Sequence, residues 1–219
     1  PMGTWNTADP TGRPVVFGEV LFDCFEEGHS VLGGAPFNVA WHLQGFGMQP
    51  LLISRVGEDE RGTQVTDAMT GWGMDTSGVQ LDPDHPTGSV QISISEGQPT
   101  FDIVPDQAYD HIEATTARAI LAEDHWSLLY HGSLITRSQA ACETLESLQT
   151  HLDAPRFVDV NLRSPWWDRP SVLGGLSNAT WAKLNDVELS ELSGEEPTEE
   201  AMEDGWYHRL LRDKPIERQ

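Results

Sequence analysis

Four polar clusters follow predicted strands in this sequence, and the glycine-rich one precedes a predicted helix. The clusters are Asp23 and the stretches 33–38, 159–163 and 185–188. Since the carboxyl ends of parallel strands meet at one edge of a sheet, we expect the four clusters to converge there. The sequence therefore predicts a binding site for a small polar molecule at this edge.

The stretch Gly33–Ala40 (GGAPFNVA) carries two adjacent glycines directly before the predicted helix. Glycine lets the backbone approach a ligand closely, and Pro36 suits the first turn of a helix. Backbone N–H groups at a helix N-terminus can point at a bound polar molecule, and the Asn38 amide can both donate and accept. A tight connection that only packs the helix against the sheet explains the same residues about equally well.

The composition indicates a globular protein with an acidic surface. Of the 219 residues, 38% are hydrophobic, and the formal net charge is −22. This charge repels nucleic acids and anionic membranes, so we exclude both as partners. The two cysteines, Cys24 and Cys142, lack metal-ligand spacing. Together with the absence of a secretory signal and of a membrane-spanning apolar run, they predict reduced thiols and a cytoplasmic location.

The hydrophobic pattern predicts alternating strands and helices over one domain, residues 15–219, preceded by a flexible N-terminus, residues 1–14. A mostly parallel sheet covered on both faces is the architecture that such alternation favours. Thr136 and Gln139 predict a capping box at the start of a helix that ends near Leu152. The predicted strands are 15–21, 51–56, 126–130, 156–160 and 181–184, and the other predicted helices follow Pro36 or cover 65–72, 114–122, about 186–192 and 198–212.

Residues 87–104 have a different pattern, in which apolar and polar residues alternate on both sides of Glu96-Gly97. Period-two patterning around a glycine turn predicts a β-hairpin with one apolar face. The hairpin interrupts the αβ alternation, so we interpret it as an inserted ribbon that serves as a lid or a dimer surface. An ordinary edge hairpin of the main sheet is the alternative.

No dinucleotide-binding glycine motif, no P-loop and no nucleophile elbow occurs in the sequence. Instead, the chain resembles the PfkB (ribokinase-like) carbohydrate kinases, and among them the fructokinases most closely. The resemblance covers roughly residues 15–192. It rests on Gly33-Gly34, Pro36, Asn38, Ala40, Gly47 and Gly57 at the family's spacing, on Gly18-Glu19 with Asp23, and on the stretches 57–62, 131–134, 159–163 and 185–188.

This resemblance implies a three-layer α/β/α fold with a small β lid, and a site that binds a sugar. A carboxylate and an amide suit vicinal hydroxyl groups, which need a strong acceptor and a mixed donor and acceptor. Two lid residues would cover the apolar face of the sugar and exclude water. The residues implied for sugar binding are Asp23, Gly33, Gly34, Asn38, Phe101, Ile103 and Asn161.

The resemblance also implies in-line transfer of the γ-phosphoryl group of ATP to a sugar hydroxyl. Asn185 and Glu188 would arrange Mg²⁺, with Glu188 as the metal ligand, although the same Asn-x-x-Glu pattern is also a plain helix cap. Arg163 would clamp phosphate with its planar guanidinium, and a surface ion pair is the alternative.

One family feature does not occur in these residues. The family's second signature, a Gly-Ala-Gly-Asp segment, supplies the catalytic base and the anion hole, and the present sequence does not contain it. We therefore expect the C-terminal part of the fold to be missing here. Two hypotheses remain: part of an ATP-dependent sugar kinase that prefers fructose, or a non-catalytic sugar-binding module. Ribose and 2-keto-3-deoxygluconate are alternative sugars, and the lid could also mediate a homodimer.

Overall fold

A six-stranded parallel sheet forms the centre of the computed structural model, which describes residues 12–95, 98–122 and 125–194. Continuous apolar runs such as Val15-Val16-Phe17 form these strands because both faces of the sheet are buried. Numbered along the chain, the strands are β1 (Arg13–Phe17), β4 (Leu51–Gly57), β5 (Val79–Asp82), β8 (Trp126–Gly132), β9 (Arg156–Asp159) and β10 (Trp181–Lys183), in the spatial order β10-β9-β8-β1-β4-β5.

Helices cover both faces of this sheet. They are α1 (Ala35–Gly45), α2 (Glu60–Gly71), α3 (Ala114–Leu121), α4 (Gln139–His151), α5 (Arg169–Leu176) and α6 (Asp186–Ser193). Val16 packs with α1 and α2, whereas Val15 and Phe17 pack with α3 and α4. The predicted three-layer α/β/α fold is therefore confirmed. Within the described residues, no helix has both the length and the apolar character that crossing a membrane requires.

A second, four-stranded sheet lies outside the central one. It contains β3 (Ser30–Gly33), β2 (Leu21–Phe25), β6 (Gly88–Ser95) and β7 (Gln98–Ile103), in that spatial order. The predicted hairpin is therefore present as β6 and β7, whose residues pair in antiparallel register. The hairpin does not stand alone, because β2 pairs with β6 in parallel and with β3 in antiparallel orientation.

The prediction of one strand over residues 15–21 is wrong. Strand β1 ends at Phe17, and β2 begins at Leu21 in the other sheet. Gly18 lies between them at φ 154°, and a Cβ atom there would come within 2.4 Å of the Pro36 Cγ atom. The chain therefore turns out of the first sheet at a glycine, although the apolar run itself continues through the turn.

Several other boundaries differ from the predictions. Helix α4 begins at Gln139, and Ser138 caps it by accepting a hydrogen bond from the Ala141 N–H, so the predicted capping box of Thr136 and Gln139 is wrong. The Thr136 hydroxyl instead donates to the Ser133 carbonyl at 2.7 Å within a 3₁₀ turn.

Strand β1 begins at Arg13, two residues before the predicted domain start at residue 15. The pattern did not predict β3, β5 or α5, and the predicted helix 198–212 lies outside the described residues.

Asp59 joins the start of α2 to the segment that enters the second sheet. Its carboxylate accepts hydrogen bonds from the Gly62 N–H (2.7 Å), the Thr87 N–H (2.8 Å) and the Thr87 hydroxyl (2.7 Å). Burial acts to raise the pKa of Asp59, but these hydrogen bonds hold that pKa below its ordinary value. The carboxylate is therefore charged at neutral pH and anchors both segments.

We expect Asp59→Ala to lower the free energy of unfolding by about 2 kcal/mol, because it removes a helix cap and the acceptor for the N–H and hydroxyl groups of the buried Thr87. Urea denaturation measures this loss. Asp168→Ala is the matched control, since Asp168 caps α5 through Ser171 and, among the described residues, has no side-chain hydrogen bond to a second segment. Equal losses in the two variants would contradict the anchoring role of Asp59.

Candidate functional site

A cavity of about 250 Å³ lies between the N-terminus of α1, the second sheet and the loop after β9. Seven of the residues that the sequence singled out line it: Asp23, Gly34, Asn38, Phe101, Ile103, Asn161 and Arg163. The remaining lining residues are Glu19, Leu21, Ala35, Val90 and Leu134. The structure thus brings together three polar clusters that are far apart in the sequence.

The glycine pair shapes one side of the cavity. Gly34 is the N-cap of α1 at φ 106°, and a Cβ atom there would lie 2.7 Å from the Glu19 carbonyl oxygen. Only glycine fits this position without strain. A Cβ atom on Gly33 would lie 3.3 Å from Asp23 Oδ2, so this residue adjoins the Asp23 carboxylate. No side chain caps α1, and its first turn adjoins the cavity.

Asp23 enters the cavity from the middle of β2, not from the end of a strand in the central sheet, which corrects the predicted placement. It pairs with Val31 on β3 and with Val90 on β6. Burial raises the pKa of Asp23, and the positive charge of Arg163 partly offsets this effect. Asp23 and Arg163 therefore place opposite charges on the wall of one cavity.

Strand β7 supplies an apolar wall. Ile103 is buried and lies opposite Val90 in the β6–β7 pairing, whereas Phe101 is 55% exposed and lies opposite Ile92. An exposed aromatic ring beside a cavity can cover the apolar face of a ligand. The predicted hairpin residues therefore reach the cavity, with Ile103 anchored in the core and Phe101 at the surface.

The loop after β9 carries Asn161 and Arg163 to the opposite side. Asn161 adopts a left-handed conformation at φ 38°, and its carbonyl oxygen accepts a hydrogen bond from the Ser133 hydroxyl. The Leu162 N–H donates to Glu188 Oε1 at 3.1 Å. Hence the buried Glu188 carboxylate holds the loop from behind, and Glu188 does not line the cavity.

Asn185 and Glu188 form a reciprocal capping box at the start of α6. Asn185 Oδ1 accepts from the Glu188 N–H at 2.8 Å, and Glu188 Oε2 accepts from the Asn185 N–H at 2.9 Å. The geometry therefore shows that this motif forms a helix cap. Both Glu188 oxygens accept a backbone hydrogen bond, and among the described residues each keeps one further lone pair. Such a carboxylate fits a metal ion through a metal-bound water better than by direct coordination.

Glu19 is a cavity residue to which the sequence assigned no role. It is only 3% exposed, and its Oε2 atom has no hydrogen-bond partner among the described residues. Burial raises the pKa of Glu19 to about 7, although backbone N–H groups and the charges of Arg137 and Arg163 act to lower it. The only sequence signal was the Gly18-Glu19 pair within the motif match, and the surrounding apolar run gave it no polar context.

The comparisons with known proteins agree with this geometry. Residues 18–208 match the model of the pfkB family of carbohydrate kinases. The chain belongs to this family. A putative sugar kinase of Pyrococcus horikoshii is 28% identical over 137 residues, which are 62% of the chain and 44% of that protein. A fructokinase of Klebsiella pneumoniae is 27% identical over 195 residues, 84% of the chain and 63% of that enzyme.

Solved structures share the fold. The crystal structure of a Vibrio cholerae fructokinase in its fructose-, ADP- and calcium-bound form matches with a TM-score of 0.75 and 22% identity, over 94% of this chain and 68% of that one. The ribokinase-like fold is therefore shown. The chain spans less than two thirds of the length of the Pyrococcus and Klebsiella relatives.

Proposed function

We propose that this chain provides the sugar-binding part of an ATP-dependent sugar kinase of the pfkB family. The observation that carries the proposal is the cavity in which Asp23, Asn38 and the first turn of α1 meet an apolar wall. A carboxylate and an amide bind hydroxyl groups, and the apolar wall covers the carbon face of the ring. The volume of about 250 Å³ suits a monosaccharide rather than a longer glycan.

Fructose is the sugar that we propose first. Fructokinases occur among the sequence relatives and among the similar solved structures. The polar residues of the cavity come from the motifs that carry the resemblance. The identities of 22–28% leave ribose and 2-keto-3-deoxygluconate as competing acceptors. A test of the substrate therefore has to compare fructose, ribose and 2-keto-3-deoxygluconate.

The proposed reaction is transfer of the γ-phosphoryl group of ATP to a sugar hydroxyl. Phe101 and Ile103 exclude the water that would otherwise accept the phosphoryl group. Arg163, an exposed guanidinium on the cavity wall, stabilises negative charge on the group in transfer. Asn185 and Glu188 would hold Mg²⁺ through its water shell, and the ion would neutralise phosphate charge. We place the reaction in the cytoplasm and propose that the β6–β7 hairpin, the predicted lid, forms a homodimer surface.

Asp23→Ala tests the sugar site directly. We expect the dissociation constant for fructose to rise about 10- to 100-fold, because the variant loses hydrogen bonds to a charged acceptor. Isothermal titration calorimetry measures the affinity. Asp67→Ala is the control, since Asp67 is an exposed aspartate on α2 outside the cavity. The affinity of this variant for fructose should equal that of the unmodified protein. Unchanged affinity in Asp23→Ala would contradict the assignment.

The transfer step has a separate test. ADP formation from ATP is measured with each of the three sugars and with water alone. Sugar-dependent ADP formation supports kinase activity, and the sugar that gives the highest rate of ADP formation is the preferred substrate. Sugar binding without ADP formation would show that this chain binds the sugar but does not catalyse the transfer by itself.

A further inference from the structure

A cluster of two histidines and an aspartate lies outside the cavity, on the segments that attach the β6–β7 hairpin. His85 precedes β6, and Asp106 and His111 follow β7. His111 Nε2 is 2.8 Å from Asp106 Oδ1, and His85 Nε2 is 3.7 Å from the same oxygen. One ligand atom from each of the three side chains lies within 4.8 Å of the others.

The carboxylate of Asp82 holds one of these histidines in place. Asp82 is 1% exposed, and its Oδ2 atom lies 3.1 Å from His85 Nδ1. Asp82 also accepts hydrogen bonds from the backbone N–H groups of Asp84 and His85 and forms an ion pair with Arg55. These contacts fix the position of the Asp82 carboxylate beside His85.

This pairing decides which nitrogen of His85 is available. A carboxylate at Nδ1 favours the tautomer with its proton on Nδ1, which leaves the lone pair on Nε2 facing Asp106 and His111. A carboxylate behind the histidine is the arrangement that typically orients metal-ligating imidazoles.

We propose that His85, Asp106 and His111 bind a divalent transition-metal ion such as Zn²⁺. Two imidazoles and one carboxylate suit Zn²⁺ or Co²⁺ better than Mg²⁺ or Ca²⁺, which prefer oxygen ligands. Three protein ligands leave a fourth position for water. The site shares no residue with the cavity, and the inference does not depend on the proposed kinase activity.

The ion has to separate two stacked rings. The His85 and His111 rings lie 3.6 Å apart with 15° between their planes, so their lone pairs cannot both meet one ion in this arrangement. Asp82 holds His85, whereas the side chains of His111 and Asp106 are 34% and 74% exposed. His111 and Asp106 therefore turn toward the ion. The bound ion would link the segment entering the hairpin to the segment leaving it.

Metal titration of the tag-free, chelator-treated full chain tests the site. We expect one Co²⁺ per chain, with the visible absorption of a four-coordinate Co²⁺–imidazole complex that excess Zn²⁺ abolishes. Saturating Zn²⁺ is expected to raise the melting temperature by about 3 °C or more, and Mg²⁺ at the same concentration is not. Absence of the Co²⁺ absorption would overturn the proposal.

Three variants separate this cluster from dispersed binding to the acidic surface. His111→Gln and His85→Gln are expected to lose the Co²⁺ absorption and the Zn²⁺-dependent shift. His42→Gln, at an exposed histidine on α1 outside the cluster, is the control and is expected to keep both. The melting temperature of each variant without metal reports whether it folds. A folded His111→Gln protein that binds Co²⁺ like the control would show that the cluster is not the site.

Discussion

Replacing Arg137 with methionine is expected to lower the free energy of unfolding by about 3–5 kcal/mol. Arg137 Nε and Nη2 donate to the two oxygens of Asp110 at 2.8 and 2.6 Å, and the side chains are only 4% and 6% exposed. Nη2 also donates to the Val104 carbonyl at 2.9 Å, directly after β7. Methionine would fill part of the volume but would leave the Asp110 carboxylate buried without its counter-charge.

Conservative and paired variants distinguish this charge effect from lost packing. The guanidinium also lies over the rings of Tyr109 and Trp166, at 5.0 and 4.8 Å from their centroids. Arg137→Lys keeps a charge but not the two-pronged geometry, so its loss should be intermediate. The double variant Arg137→Met with Asp110→Asn should lose less than the sum of the single losses. Additive losses in urea denaturation would contradict a direct pair.

Arg137 connects the stability of this region to the cavity. Burial raises the pKa values of both Glu19 and the Tyr109 hydroxyl, and the positive charge of Arg137 acts to lower both. Glu19 adds a smaller contribution that raises the pKa of Tyr109. The Tyr109 hydroxyl and Arg137 Nη1 are also buried without a hydrogen-bond partner among the described residues. The polar groups around Glu19 therefore form an incompletely paired set next to the candidate sugar site.

The sequence predicts β1, β4 and β8 of the central sheet because each contains an apolar run that ends near a glycine, whereas β5 (VQLD) has no such run and was not predicted. Period-two alternation likewise predicts β6 and β7. The glycine pair predicts the start of α1, since Gly34 requires a positive φ that other residues avoid. Each of these elements can be predicted from residues that are adjacent in the sequence.

The remaining features depend on contacts between distant residues. The apolar pattern runs through Gly18, so it cannot show that β1 and β2 belong to different sheets. Asn185 and Glu188 give the same sequence pattern for a helix cap and for a metal motif. The hydrogen bonds that the Glu188 carboxylate accepts from the N–H groups of Asn185 and Leu162 appear only in the structure. The pairing of Arg137 with Asp110 spans 27 residues, and no local spacing predicts it.

Glu19 is expected to make the stability of the protein depend on pH near neutrality. Burial raises the pKa of Glu19 from 4.5 to about 7, so the folded protein resists its ionisation. The stabilisation from keeping the proton is complete below the unfolded pKa and is lost as the pH rises through the folded value. The whole loss is about 3 kcal/mol, of which about 2 kcal/mol falls between about pH 5.5 and about pH 8.5.

Glu19→Gln isolates this contribution, because the neutral amide has nearly the same shape and does not titrate. The groups that face Glu19, namely Arg137, Arg163, Tyr109 and Tyr130, stay in both proteins, so their effects largely cancel in the difference. Urea denaturation at the two pH values should show the variant gaining about 2 kcal/mol relative to the wild type as the pH rises. Parallel pH dependences would mean that Glu19 ionises freely in the folded protein. A bound sugar whose hydroxyl donates to Glu19 Oε2 should favour the charged form, so saturating fructose should shrink the difference.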